Sequence, residues 1–228
     1  MRPTSETDGT DARGVIGAIL CGGASARFGG KPKGLETVGE IRLIDRVAAA
    51  LRDVVSDLML VSSARDAAGW LPGVRACGDV WAGQGRGSLI GIHAALTHAR
   101  GPVLVVAWDM PFVSRELLSA IRSRADGTEE RQRGTARTTC AVFAESDSGL
   151  EACCAWYAPA ALPIIESMLE TGERRLGALA DRLPAWEKIS REDVARIGAP
   201  ERLFFNVNRP EDLARANEML GRDAAGSV

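Results

Sequence analysis

At 228 residues the chain suits one large domain and is long enough to bury a full α/β core. Hydrophobic residues make up 46% and charged residues 25%, and the formal net charge of −2 provides no global basic field to hold a polyanion. With aromatic residues at only 5%, a nucleic-acid-binding module is disfavoured on both counts.

The five cysteines, Cys21, Cys77, Cys140, Cys153 and Cys154, are odd in number, form no CxxC pair and mostly sit in apolar runs. They read as buried reduced thiols rather than as a zinc site or a disulfide frame, which fits a cytoplasmic protein. Residues 1–13 are polar and lack the apolar core of a signal peptide. No stretch approaches the roughly 18 apolar residues of a membrane span, so no membrane partner is expected.

Residues 1–13 and 221–228 read as disordered tails around a single domain over 14–220. Val15–Leu20 is a β-branched apolar run that opens into Gly22 and Gly23, as a buried strand would. Ile44, Val47, Ala48, Leu51 and Val55 recur at helical spacing. Leu58–Val61 and Val74–Cys77 follow as strands, and Ser88–Ala99 as a helix with Leu89, Ile92, Leu96 and Ala99 on one side. Pro102–Trp108 is an apolar strand broken by Asp109-Met110-Pro111, and Ser114 is placed to cap a helix from Arg115. The polar stretch 126–137 has no large apolar side chain and reads as a mobile loop. Thr139–Ala144 and Ala152–Tyr157 look like strands where the sheet turns antiparallel, followed by a helix through Ile164, Ile165, Met168 and Leu169 that stops at Gly172. Leu203–Val207 is expected as a last short strand before a helix that starts at Pro210. The alternation predicts a three-layer, Rossmann-like α/β fold with a mostly parallel sheet and helices on both faces.

Four features carry chemistry. The loop after Leu20 holds Gly22, Gly23, Gly29 and Gly30, the cations Arg27, Lys31 and Lys33, and no acid before Gly34. Backbone donors with uncompensated cations at the carboxyl end of a strand make an anion site suited to a polyphosphate. The glycine spacing is neither GxGxxG nor Walker, so a standard dinucleotide fold is disfavoured. Asp109 directly follows an apolar strand, so it sits on the same sheet edge and can offer a hard oxygen to Mg²⁺ beside phosphates. As a lone feature it would read as a turn or capping aspartate; the cationic loop tips it to the metal. Asp79, before the glycine-rich stretch 83–87, could accept hydrogen bonds from a guanine edge or serve as ordinary loop chemistry. Asn206 and Asn208 could face a heterocycle such as a pterin, and Asn208 could equally cap the helix from Pro210. His93 and His98 lie five apart and do not share a helix face, which disfavours a histidine metal site or triad.

Together these residues resemble a known family. LCGGASARFGGKPK is similar to the signature L-x-G-G-x-S-x-R-M-G-x-x-K of the molybdenum cofactor guanylyltransferase-like (MobA-like) NTP transferases. WDMP resembles the family's C-D-x-P metal motif, GSLIGI its G-P-L-A-G, TGERRL its G-E-R-R segment, and FFNVNRPEDL its N-x-N-T-P ending. The resemblance spans roughly residues 14–220 in one order. It implies GMP transfer from GTP to molybdopterin or Mo-molybdopterin with loss of pyrophosphate. By the same resemblance Leu20, Cys21, Gly22 and Gly23 contact the nucleotide, Lys33 and Arg27 neutralise the triphosphate, Asp79 holds guanine, and Asp109 ligates Mg²⁺ (or Mn²⁺). Asn206 and Asn208 fall on the acceptor side. Other cofactor-biosynthesis proteins and recipient molybdoenzymes are the implied partners. Cys21 stands where the family usually has alanine, and Ser88 where it has proline. Ser62 stands nearest a family asparagine that contacts the nucleotide, which makes Ser62 a GTP-binding candidate by the same resemblance. Base choice is therefore the point at which a cytidylyltransferase, or one with another phosphorylated acceptor, competes. A GTP-binding regulator without turnover is the reading from another class, and retention of both Lys33 and Asp109 argues against it.

Overall fold

The computed structural model describes residues 14–22, 28–83, 85–132 and 138–226. In chain order they form β1 (Ile16–Leu20), β2 (Thr37–Val38), β3 (Ile41–Arg42), α1 (Leu43–Arg52), β4 (Asp57–Val61), β5 (Arg75–Cys77), α2 (Ser88–Ala99), β6 (Val103–Ala107) and α3 (Arg115–Gln132). The second half adds β7 (Ala141–Ser146), β8 (Gly149–Tyr157), α4 (Leu162–Glu170), α5 (Leu179–Arg182), β9 (Trp186–Ile189), α6 (Arg191–Ile197), α7 (Pro200–Leu203) and α8 (Pro210–Gly226).

The central sheet has seven strands in the order β5-β4-β1-β6-β8-β7-β9. All neighbours pair in parallel except β8, which runs antiparallel to both β6 and β7. The inner strands β1, β4 and β6 are almost wholly apolar because both of their faces are covered. On one face Ile19, Leu60, Leu104, Val106 and Trp156 pack with α1 and α3 residues such as Val47 and Ile121. On the other, Ala18, Met59, Val103, Val105 and Tyr157 pack with α2 and α4 residues such as Ile92 and Ile165. Each fully buried Leu, Ile or Val of these layers contributes roughly 1.5–3 kcal/mol of transfer free energy. A third, small cluster of Val38, Leu43, Phe112, Val207 and Ala216 fastens α8 and the β2–β3 hairpin to the sheet edge.

Three expectations are corrected. Residues 126–132 are not a loop; they are the last turns of α3. The sequence looked featureless because the inward contact is polar. Buried Thr128 donates to Glu187 Oε1 at 2.9 Å on β9. Residues 133–137 lie outside the described residues. Leu203–Val207 is not a strand: Leu203 closes the short helix α7, and the Val207 N–H donates to the Asp109 carbonyl at 2.9 Å instead of to a ladder. The chain at 221–226 continues α8 rather than forming a tail, since nothing in Arg222-Asp223-Ala224-Ala225 breaks a helix. Residues 1–13 and 227–228, expected as tails, lie outside the described residues. Among those described, no helix is long and apolar enough to cross a membrane.

One glycine joins the fold to the edge where the ligand residues gather. A Cβ at Gly34 would lie 2.1 Å from Trp108 Cε3, so only glycine lets the loop after β1 rest on the indole that precedes Asp109. Trp108 is held from behind by Trp70, with ring centroids 5.2 Å apart. Gly34→Ala is therefore expected to push Trp108 aside and to destabilise by about 1–3 kcal/mol, as overpacking does. Urea unfolding measures it, and unchanged stability would show that the indole moves freely.

Candidate functional site

Parallel register sets the site. Cys77 pairs with Val61, Val61 with Leu20, and Leu20 with Ala107, so four strand ends lie in one row. From that row the chain departs into Gly78-Asp79, Ser62-Ser63, Cys21-Gly22 and Trp108-Asp109. Connections from β1 lead toward β4 and those from β6 lead the other way, making β1/β6 the switch point where open α/β sheets take their ligands.

At the switch point Lys33 and Asp109 form an ion pair between Lys33 Nζ and Asp109 Oδ2, and each side chain is only 11% exposed. Lys33 Nζ also donates to Asn208 Oδ1 at 3.2 Å. Thus Lys33, Asp109 and Asn208, far apart in sequence, meet in one cluster. Asp109 Oδ1 is buried and has no hydrogen-bond partner among the described residues. Asn208 is held by its own N–H, which donates to Asp212 Oδ2 at 2.9 Å, as does the N–H of Arg209. Asp212 therefore caps the start of α8, and the Asn208 side chain is turned to Lys33. Asn206 is turned to its own segment, its Nδ2 donating to Phe204 O at 2.9 Å.

A second group lies at the ends of β4 and β5. Ser63 Oγ donates to Asp79 Oδ2 at 2.6 Å, and buried Ser62 Oγ accepts from Ala64 N at 3.2 Å. Asp79 itself is exposed. Ser63 was not singled out in the sequence; a serine doublet at a strand end is its only signal.

Cys21 fills the floor between the two groups. Its N–H donates to Val61 O at 2.9 Å, and burial, with the Asp109 charge as a lesser cause, pushes its thiol far up. Gly22 is exposed with open space where a Cβ would stand. Gly29 and Gly30 turn the loop with φ of 62° and 83°. Gly23 and Arg27 lie outside the described residues.

The opposite wall went unnoticed in the sequence. Val106 pairs with Cys154, so Cys153 on β8 stands beside Ala107. Burial raises the Cys153 thiol, partly offset by the Ser88 hydroxyl, and the charge of Asp109 raises it further. Among the described residues no group of three or more His, Cys, Asp or Glu could hold a metal ion. His93 meets Glu166 at 3.4 Å, and His98 meets the carbonyl of Gly78, next to Asp79, at 3.0 Å.

A family model described as the MobA-like NTP transferase domain matches residues 17–186. The chain belongs to this family. As a MobA-like NTP transferase it is a nucleotidyltransferase. A probable molybdenum cofactor guanylyltransferase of Pelotomaculum thermopropionicum is 32% identical over 94% of this chain and 97% of that protein. A molybdenum cofactor guanylyltransferase of Desulfosudis oleivorans is 30% identical over 90% and 96%. The crystal structure of molybdopterin-guanine dinucleotide biosynthesis protein A from Archaeoglobus fulgidus superposes with a TM-score of 0.72 at 27% identity, covering 91% of this chain and all of that one.

Breaking the central pair leaves a nearly buried charge without its partner. Lys33→Met is expected to cost about 3–5 kcal/mol, with Lys33→Met/Asp109→Asn recovering more than half of it. A denaturation cycle over the four proteins measures this, and additive losses would mean the two groups do not interact.

Proposed function

We propose that the chain transfers GMP from GTP to the terminal phosphate of molybdopterin or Mo-molybdopterin, releasing pyrophosphate. The observation that carries this reading is the meeting of Lys33 and Asp109 at the switch point of a sheet whose near full-length relatives bear guanylyltransferase names. An ammonium and a carboxylate side by side are what a magnesium nucleotide requires: one cation for phosphate, one hard oxygen for the ion.

The residues fit a divalent cation. The Asp109 carboxylate has unused ligand capacity, since Oδ1 finds no partner among the described residues while Lys33 covers Oδ2. No cage of other acids stands near it among those residues, so phosphate oxygens and water would complete the shell once the ammonium moves. Asp109 would hold Mg²⁺, or Mn²⁺ in its place, and the bound ion would supply positive charge beside the α-phosphate.

The chain's own residues do the rest by charge and position. The acceptor's phosphate oxygen attacks the α-phosphorus, and the bond to the bridging oxygen breaks as pyrophosphate leaves. Both reactants are anionic, so neutralising and aligning them supplies most of the acceleration. Lys33, with Arg27 from the same loop, would bind the triphosphate. Backbone at Leu20, Cys21, Gly22 and Gly23 would approach the nucleotide. Asp79, oriented by Ser63 and close to Ser62, would accept from the guanine ring N–H and amino group. Asn206 and Asn208 would border the acceptor; because Lys33 takes Asn208 Oδ1, the amide NH₂ is the group Asn208 can offer. The finished dinucleotide cofactor would pass to recipient molybdoenzymes, in a cytoplasmic route without membrane or nucleic acid.

Incubation with each NTP, Mg²⁺ and molybdopterin, with pyrophosphate and dinucleotide product measured, tests the reading. Turnover with GTP and not CTP is expected; turnover with CTP alone overturns the base assignment, and tight GTP binding without turnover makes the chain a regulator. Asp79→Ala is expected to weaken GTP by about ten- to a hundredfold, as loss of a charge-assisted hydrogen bond does, and to narrow the preference over ATP. An unchanged KM for GTP would place the base elsewhere.

A further inference from the structure

The Lys33–Asp109 pair presents a conflict that the reaction must resolve. Lys33 occupies Oδ2 of the carboxylate, while Oδ1 is sealed from solvent. A hydrated divalent ion approaching Asp109 therefore meets the ammonium, because Lys33 covers Oδ2 and Oδ1 is closed to solvent. Two cations on one carboxylate repel strongly at such range, in a site where little water screens them.

The two partners differ in freedom. Asp109 is pinned by its backbone, since its carbonyl accepts from Val207 N at 2.9 Å. Trp108, just before it, is wedged between Trp70 and Gly34. Lys33 ends in a flexible four-carbon stem and already has a second acceptor, Asn208 Oδ1, at 3.2 Å. Asn208 is in turn anchored through Asp212. When the pair separates, the ammonium is the part that moves, and Asn208 keeps it within the site.

We propose that Lys33 is a displaceable latch on the metal seat: its ammonium blocks Asp109 until a triphosphate draws it off, with Asn208 as the adjoining seat. Metal and nucleotide then load together, and protein without nucleotide takes up divalent cation poorly. The latch rests on Asp109 being the metal residue, as proposed above.

Mn²⁺ is the probe, titrated into the full-length chain and followed by water-proton relaxation and by thermal unfolding. Wild-type protein is expected to bind Mn²⁺ weakly alone and strongly with GTP present. Lys33→Met is expected to bind Mn²⁺ alone at least about tenfold more tightly than wild type, because the competing cation is gone. Mn²⁺ should also raise the melting temperature of Lys33→Met and leave that of wild type unchanged. Lys33→Gln serves as a second variant of similar length. Equal Mn²⁺ affinity in wild type and both variants overturns the latch. If Lys33→Met does not fold, Lys33→Gln decides in its place, and wild-type protein that binds Mn²⁺ as tightly without GTP as with it overturns the latch on its own. Adding Asp109→Asn separates the two claims. Loss of Mn²⁺ binding in the double variant upholds Asp109 as the seat, whereas unchanged binding removes that assignment and the latch with it.

Discussion

The register of four parallel strands is the constraint on which the site depends. Because Cys77, Val61, Leu20 and Ala107 stand in one row, the loops that follow them rise from one edge. A slip of one residue in any pairing would turn that strand's alternate side chains to the wrong layer, and the two apolar layers forbid it. The same burial that stabilises the sheet thus fixes where Asp79, Cys21 and Asp109 emerge. Function inherits its geometry from hydrophobic packing.

On that edge the decisive contacts are long in sequence and short in space. Lys33 reaches Asp109 and Asn208, and Val207 reaches the Asp109 carbonyl. The segment before α8 therefore completes the β1/β6 site instead of adding a strand. The third apolar cluster, with Phe112 and Val207 at its centre, holds that segment in place. A buried ion pair is a poor source of stability, because desolvating two charges offsets most of their attraction. Its presence here fits a site in which both charges have ligands to meet.

Most of the architecture was legible from periodicity. The buried strands β1, β4 and β6 read as short apolar runs, α1 and α2 as stripes at helical spacing, and Pro210 as the first residue of α8. What escaped notice lacked an apolar signature. The end of α3 faces β9 through Thr128 and Glu187, a polar contact that hydropathy cannot reveal. β9 itself is a half-exposed edge strand of four residues. Leu203–Val207 looked like a strand by composition, and nothing local showed that no ladder waited for it. In the site, Lys33 and Asp109 were legible from residue type and place. Asn208 remained open between cap and ligand until Asp212 proved to do the capping. Ser63 and Cys153 became visible only once strand ends and pairings were known.

Under the proposed function, one row of strand ends would take a nucleotide base-first at Asp79 and phosphate-last at Lys33 and Asp109. A crystal structure with a non-hydrolysable GTP analogue and Mg²⁺ tests it most directly. The guanine edge is expected on Asp79, the triphosphate across the β1 loop, and the Lys33 ammonium moved from Asp109 to phosphate. A nucleotide bound in the reverse sense, or bound with the Lys33–Asp109 pair intact, would contradict it.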